Sequence, residues 1–186
     1  GNYIVKLEAP EGVRYAILTT YAGGKELDFL ISENTHLYAQ HMAQLHLNTK
    51  QFKSVHQRFK LDIKHLITQP LLRIKPRLAH RQKDSVFIES YAQQLTQILQ
   101  NAFNKSPQLT FCHGDLHGGN AHFNGEKLTS FDFDCCGFGL RSYDLAVFKW
   151  FLDTSEQAST IWICFLKSYQ QQYPLNDEEL ALIDAF

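Results

Sequence analysis

The chain has 186 residues, 44% of them apolar and 20% charged, with 18 Lys and Arg against 19 Asp and Glu. That is the composition of a globular protein with enough chain for one core, and it excludes a disordered or fibrous polymer. No apolar run approaches the roughly 18 residues of a membrane span, and Gly1-Asn2-Tyr3 opens no basic, then apolar, secretion signal, so the expectation is a cytoplasmic protein without a membrane partner.

Charge is distributed unevenly. Ten of the Lys and Arg fall between Lys50 and Lys83, where Asp62 is the one acid. Such a run is ordinarily a solvated face, and at a site it would attract a carboxylate or phosphate. Nucleic acid is not expected as a partner, and no feature sets an oligomeric state. Cys112, Cys135, Cys136 and Cys164 show no zinc spacing and read as reduced, mostly buried thiols.

In chain order, residues 3–21 read as a β-hairpin. Tyr3, Val5 and Leu7 alternate, Pro10-Glu11-Gly12 supplies the turn, and Arg14 to Tyr21 is β-branched and aromatic. A lone hairpin is marginal in water, so it is expected to pack on something larger. A helix starts near Ser32 to Thr35, with Ser32, Asn34 and Thr35 as N-caps, and runs to about Leu47 on a stripe of Leu37 or Tyr38, Met42 and Leu45. Residues 50–83, interrupted by Pro70 and Pro76, read as short helices and loops. Asp84 caps a longer helix whose stripe is Ile88, Tyr91, Leu95, Ile98, Leu99 and Ala102, ending near Asn104.

Gln108 to Cys112 reads as a strand. His122-Phe123, the turn dipeptide Asn124-Gly125, and Leu128 to Asp132 make a second hairpin, which brings Asn120 at its entrance close to Asp132 at its exit. Beyond Gly137-Phe138-Gly139 the chain reads as helical, over Tyr143 to Leu152, Ser159 to Tyr173 and Asp177 to Phe186. Trp150 and Trp162 read as helix-packing residues.

The chemistry concentrates in Phe111-Cys112-His113-Gly114-Asp115-Leu116-His117-Gly118-Gly119-Asn120 and in Phe131-Asp132-Phe133-Asp134. Phosphoryl transfer needs a divalent metal against the phosphates and a carboxylate near the attacking hydroxyl. Asp115 can serve as the base. Asn120 and Asp132 offer the hard oxygens that Mg²⁺ favours, and Asp134 either binds a second metal or faces solvent. His113 reads as a loop-ordering residue whose ring bonds backbone.

His113-x-Asp115-x-x-x-x-Asn120, then Phe131-Asp132-Phe133-Asp134, then Gly137-x-Gly139-x-x-x-Tyr143-Asp144-Leu145-Ala146 resembles the aminoglycoside phosphotransferase and choline kinase-like family. The resemblance implies an α+β, protein-kinase-like C-lobe: mostly helical, with small β-hairpins that carry the catalytic loop and the metal-binding strand. Residues 1–24 would be a remnant N-lobe hairpin and hinge and residues 25–186 the catalytic lobe. It further implies ATP and Mg²⁺ as cofactors, a small-molecule hydroxyl as acceptor, and backbone around Thr20 and Ala22 against the adenine. Asp115 would be the catalytic base, Asn120 and Asp132 the magnesium ligands, and Asp144 a helix residue that buttresses the loop. The phosphate-covering loop and the lysine strand of such enzymes have no counterpart here. Lys6, separated from Thr20 by thirteen residues, reads as a surface lysine, and the C-terminal helix reads as cut, so the chain is expected to span about two thirds of such an enzyme.

Two rivals follow from the same residues. An inactive C-lobe acting as a binding or scaffold module would keep the loop without turnover. Gly114-Asp115-Leu116-His117-Gly118 also fits the first motif of a metallophosphoesterase, but the further motifs of its two-metal site are absent from the sequence. A zinc site on His113, His117 and His122 is disfavoured by the glycines between them.

Overall fold

The computed structural model describes residues 3–56, 58–105 and 109–186. The elements in chain order are β1 (Ile4–Ala9), β2 (Gly12–Ile17), α1 (Ser32–Thr49), α2 (Gln69–Ile74), α3 (Gln82–Lys105), β3 (Thr110–Cys112), β4 (Ala121–Phe123), β5 (Leu128–Ser130), β6 (Gly137–Gly139), α4 (Ser142–Leu152), α5 (Ala158–Gln172) and α6 (Asp177–Ile183). Single helical turns at Lys64–Thr68, Lys75–Leu78, Gly118–Asn120 and Phe133–Cys135 join them. Among the described residues no helix is long and apolar enough to cross a membrane.

The main core lies between α1, α4 and α5. Tyr38 and Met42 of α1, Leu145 and Phe148 of α4, and Phe165 and Tyr169 of α5 are all fully enclosed. Their rings interlock, with Tyr38 to Phe148 at 4.8 Å and Phe148 to Phe165 at 4.4 Å between centroids. Burying each such side chain contributes on the order of 1.5–3 kcal/mol. This block is the platform beneath the candidate site.

α1 differs from its sequence reading at both ends. It caps on Ile31 without a side-chain bond. Asn34 and Thr35 instead reach back, Asn34 Nδ2 donating to Asp28 O at 2.9 Å and Thr35 Oγ1 to Phe29 O at 3.0 Å. The buried face is Thr35, Tyr38, Ala39, Met42, Ala43 and His46, so Leu37 and Leu45 sit at its margin. In α3 only Leu99 and Ala102 are buried, against Leu140 and Leu182. Tyr91 and Ile98 of the expected stripe face solvent. Asp84 lies inside the first turn, paired with Arg81, rather than capping it. Trp150 is also a correction: 73% of it is exposed.

The strands form three antiparallel pairs, β1 with β2, β3 with β6, and β4 with β5. β1 and β2 turn tightly at Pro10-Glu11, with Ala9 opposite Gly12. Their side chains are exposed on both faces, including Tyr3, Ile4, Val5, Leu7, Val13, Tyr15 and Ile17. β6 is not legible in Gly137-Phe138-Gly139, which lacks β-branched residues. It forms because β3 needs a partner, Cys112 lying opposite Gly137 and Thr110 opposite Gly139. Lys60 adds a bridge on the outer side of β6, with Leu61 N donating to Phe138 O at 2.9 Å. Gln108, the expected start of β3, lies outside the described residues.

The β4–β5 connection is longer than an Asn-Gly two-residue turn. Asn124 Oδ1 accepts from Glu126 N at 3.0 Å and Lys127 N at 2.8 Å, so one amide organises a wider loop. α6 begins with a capping box between Asn176 and Glu179 and ends at Ile183.

Candidate active site

β3 delivers the loop His113 to Asn120 from the platform, and a single buried carboxylate fixes its start. Asp144, fully buried in the first turn of α4, accepts from His113 N through Oδ2 and from Gly114 N through Oδ1, both at 2.8 Å. A third donor, Nε2 of His46 on α1, reaches Oδ2 at 3.0 Å. Three N–H groups on one enclosed carboxylate supply the compensation that burying a charge requires.

The middle of the loop is tied by its own residues. His113 Nε2 donates to Phe131 O at 2.9 Å and its Nδ1 accepts from Asp115 N at 3.3 Å. The ring therefore links the catalytic loop to the end of β5. Tyr38 donates its hydroxyl to Leu116 O at 3.1 Å. Burial, then the Asp144 and Asp115 carboxylates, hold that phenol well above its usual range, so it stays a neutral donor. Gly114 adopts φ +86°, and a Cβ there would stand 2.1 Å from Cys135 O. Only glycine accepts both the conformation and the approach.

Asp115 emerges half-buried. Asn120 Nδ2 donates to its main-chain O at 2.9 Å and to its Oδ2 at 3.2 Å, so the amide and the carboxylate come together. The nitrogen end of the amide is thus turned to Asp115, and among the described residues no donor is paired with Asn120 Oδ1. Phe131 N donates to Asn120 O at 3.0 Å, which seats the exit of the hairpin beside its entrance. Asp132 follows directly, exposed and in the left-handed region at φ +63°, and starts the turn Phe133–Cys135. Asp134 is also exposed.

These donors fit a hard divalent cation. The free Asn120 Oδ1 and the solvent-facing Asp132 carboxylate are the oxygen types that Mg²⁺ takes. Among the described residues no three His, Cys, Asp or Glu side chains gather as a ready-made metal cluster, so amide oxygen and water would complete the shell. The three loop imidazoles separate. His117 Nδ1 accepts from Gly119 N at 3.1 Å, with its Nε2 3.7 Å from Asp115 Oδ2, while His122 Nδ1 donates to Ala22 O at 2.8 Å.

Ala22 thus has its carbonyl engaged, and Thr20 is exposed beside it. The strip after β2 is anchored to β4 by Lys25 and Phe123, which exchange N–H···O bonds at 3.1 and 2.8 Å. The four cysteines are free thiols, but Cys135 is exposed, which corrects the expectation of mostly buried ones. Its thiol is pushed up by partial burial and then by Asp115, Asp132 and Asp134.

Three contributors escaped the sequence reading. His46 falls on the buried face of α1 four residues after Met42, and a histidine on an apolar stripe signals a buried partner. Tyr169 donates its hydroxyl to His46 Nδ1 at 2.8 Å. Arg58, one cation of the basic run, donates Nε to Cys136 O at 2.6 Å and also bonds Phe133 O and Asp134 O. It clamps the turn behind Asp132.

The chain matches the phosphotransferase enzyme family over residues 5–173. It is 35% identical over 185 residues to an uncharacterized protein of Deinococcus radiodurans, a match that takes in 97% of this chain and 53% of that protein. The fold is like that of a microcompartment-associated aminopropanol kinase, with a TM-score of 0.73, 16% identity, and 100% of this chain against 60% of that one. An amicoumacin kinase solved with AMP-PNP, Ca²⁺ and Ami gives 0.72 at 19% identity, over 100% of this chain and 57% of that one. At such identities the two structures speak for the α+β, kinase-like fold alone, and the chain spans about half the length of the curated relative it matches. The family match across most of the chain establishes that this chain belongs to the phosphotransferase enzyme family.

Proposed function

We propose that this chain carries the catalytic half of an ATP-dependent small-molecule kinase. Asp115 is the base for an acceptor hydroxyl, and Asn120 Oδ1 and the Asp132 carboxylate, with Asp134 as a further candidate, hold Mg²⁺. The observation that carries the reading is the double tie of Asn120 Nδ2 to Asp115, which leaves a carboxylate oxygen and an amide oxygen side by side on a loop fixed from beneath by Asp144. When bound, Mg²⁺ would neutralise phosphate charge in the transferring group. The chain's own work is positional: Asp144 and Gly114 set the height of the loop, Asn120 orients Asp115, and Asp115 accepts the hydroxyl proton at its carboxylate. Backbone around Thr20 and Ala22 is proposed to meet the adenine, and residues 1–24 to be the edge of the smaller lobe. The aminopropanol and amicoumacin kinases named above support a small hydroxyl-bearing acceptor.

The test is ATP consumption by this chain over a panel of small alcohols, with calorimetry against Mg-ATP. Turnover that falls by about 10²–10⁴ in Asp115→Asn, with Mg-ATP heat retained, is the expected result. Full turnover in that variant would remove Asp115 as base. The exposed apolar faces of β1 and β2 favour a second reading, a nucleotide-binding or scaffold lobe without turnover. Heat with Mg-ATP but no acceptor-dependent ADP would select it.

A further inference from the structure

Part of the basic run lies along β6, with Arg58 at the loop end of the β3–β6 pair. β6 runs antiparallel to β3, so Gly137 and Cys112 share the end from which the catalytic loop departs. The segment carrying Lys60 runs parallel to β6, with Lys60 beside Phe138, so Arg58 and Phe59 stand at that same end. Arg58 is held there by its three carbonyls in the turn behind Asp132.

Beyond Arg58 the chain folds back on itself. His65, in the turn Lys64–Thr68, stacks on Phe59 with centroids 4.3 Å apart and planes 10° from parallel, while the Arg58 guanidinium lies 4.7 Å from the centroid of Phe59. Arg58, Phe59, Lys60, Asp62, Lys64 and His65 line a cavity of about 320 Å³, within the range of small-ligand sites. Asp62, its one acid, is occupied, Oδ1 accepting from His65 N at 2.9 Å. Lys75 and Arg81 of the run have acidic partners, Glu89 and Asp84; Lys60 and Lys64, the two lysines of the cavity, have none among the described residues.

The geometry points to this cavity as the subsite for an anionic group, a carboxylate or a phosphate, on the acceptor. The inference rests on the kinase reading for the word acceptor, though not for the binding itself. A negatively charged acceptor approaching Asp115, Asp132 and Asp134 is repelled. Two unpaired ammonium groups and an aromatic floor at the edge of the loop offset that repulsion and orient the far end of the molecule. A neutral or cationic acceptor gains nothing from them.

The test reads binding without ATP. The chain is titrated with 3-hydroxybutyrate, glycerol 3-phosphate and glycerol while the His65 ring signals, assigned by their loss in His65→Gln, are followed by NMR. An anion should shift them and glycerol should not. The double variant Lys60→Ala/Lys64→Ala should weaken the anion about tenfold, a loss of about 1.4 kcal/mol, whereas Lys83→Ala, a cation outside the cavity, should not. A response to the hydroxy acid alone names a carboxylate, and one to the phosphate alone names a phosphate. Equal shifts with glycerol, no shift with either anion, or equal weakening by Lys83→Ala would overturn the subsite. Unchanged turnover in Asp115→Asn would sink the kinase reading and leave this result standing.

Discussion

His46 Nε2 and Asp144 Oδ2 meet at 3.0 Å with both side chains completely shielded from solvent. The contact is one link of a directed chain. Arg141 NH1 donates to the Tyr169 hydroxyl at 3.5 Å, Tyr169 to His46 Nδ1 at 2.8 Å, and His46 Nε2 to the carboxylate that holds the start of the catalytic loop. Arg141 is in turn gripped by Glu179 through two bonds of 2.7 Å. The C-terminal helix α6 is thereby wired to the loop through a polar chain that is part-exposed at Glu179 and fully enclosed from Tyr169 inward.

Removing His46 leaves the Asp144 charge with two donors and a void at its side. His46→Ala is expected to lose about 2–5 kcal/mol, the range for opening a cavity in the core while leaving a buried charged acceptor short of a donor. Tyr169→Phe deletes only the hydroxyl and should cost about 1–3 kcal/mol, since His46 Nδ1 loses its donor. Urea unfolding with the transition slope unchanged measures both. Equal, small losses would show that Asp144 is satisfied by the loop N–H groups alone.

Glu179 gives the acid side of the stability profile. Burial pushes its carboxyl up, but the Arg141 guanidinium and the Asn176 backbone N–H outweigh that, and it settles below its usual value. With the folded pKa depressed, the stability it supplies is present above its unfolded pKa of about 4.3 and is lost as pH falls through the folded value. Glu179→Gln should therefore cost about 1.5–3 kcal/mol at pH 7, the value of a charged hydrogen bond, and much less near pH 3. Unfolding of both proteins at the two pH values measures the difference. A gap that stays constant with pH would mean that Glu179 contributes as a cap alone.

Gly114→Ala tests the close approach beneath the loop. The new methyl meets the Cys135 carbonyl, which is backbone and cannot swing aside, and the left-handed φ adds on the order of 1 kcal/mol or more of strain. Loop and turn must part. The expected signature is a modest fall in stability with a much larger fall in acceptor-dependent ATP consumption, read from melting and turnover of the same preparation.

The sequence showed more of the site than of what supports it. Asp115 and Asn120 lie five residues apart on one loop, so the bonds between them are local, and Phe131 N on Asn120 O follows from the hairpin that the sequence announces. β6 arises from pairing over 25 residues, Cys112 to Gly137, and no local propensity announces it. Tyr91 and Ile98 follow a helical period yet face solvent, because periodicity tells which residues share a face without telling whether anything packs there. His46 and Tyr169 lie far apart in the chain, and only the packing of α1 on α5 makes them a pair.

Asp132 poses stability against function. Its φ of +63° is costly for a residue with a side chain, by roughly 1–3 kcal/mol, and such strain persists where surrounding contacts impose it. Here those contacts are Phe131 N on Asn120 O and Arg58 on the turn that follows. Asp132→Gly removes the strain together with the carboxylate. The variant should be at least as stable as the natural protein, yet the heat with Mg-ATP should fall toward that seen with ATP in excess chelator. Asp132→Ala should lose the same heat and also melt lower than Asp132→Gly, since alanine keeps the Cβ in the left-handed region. Calorimetry and melting on the three proteins separate the roles: metal-dependent heat retained in Asp132→Gly would remove this carboxylate from the magnesium site, whatever the melting temperatures show.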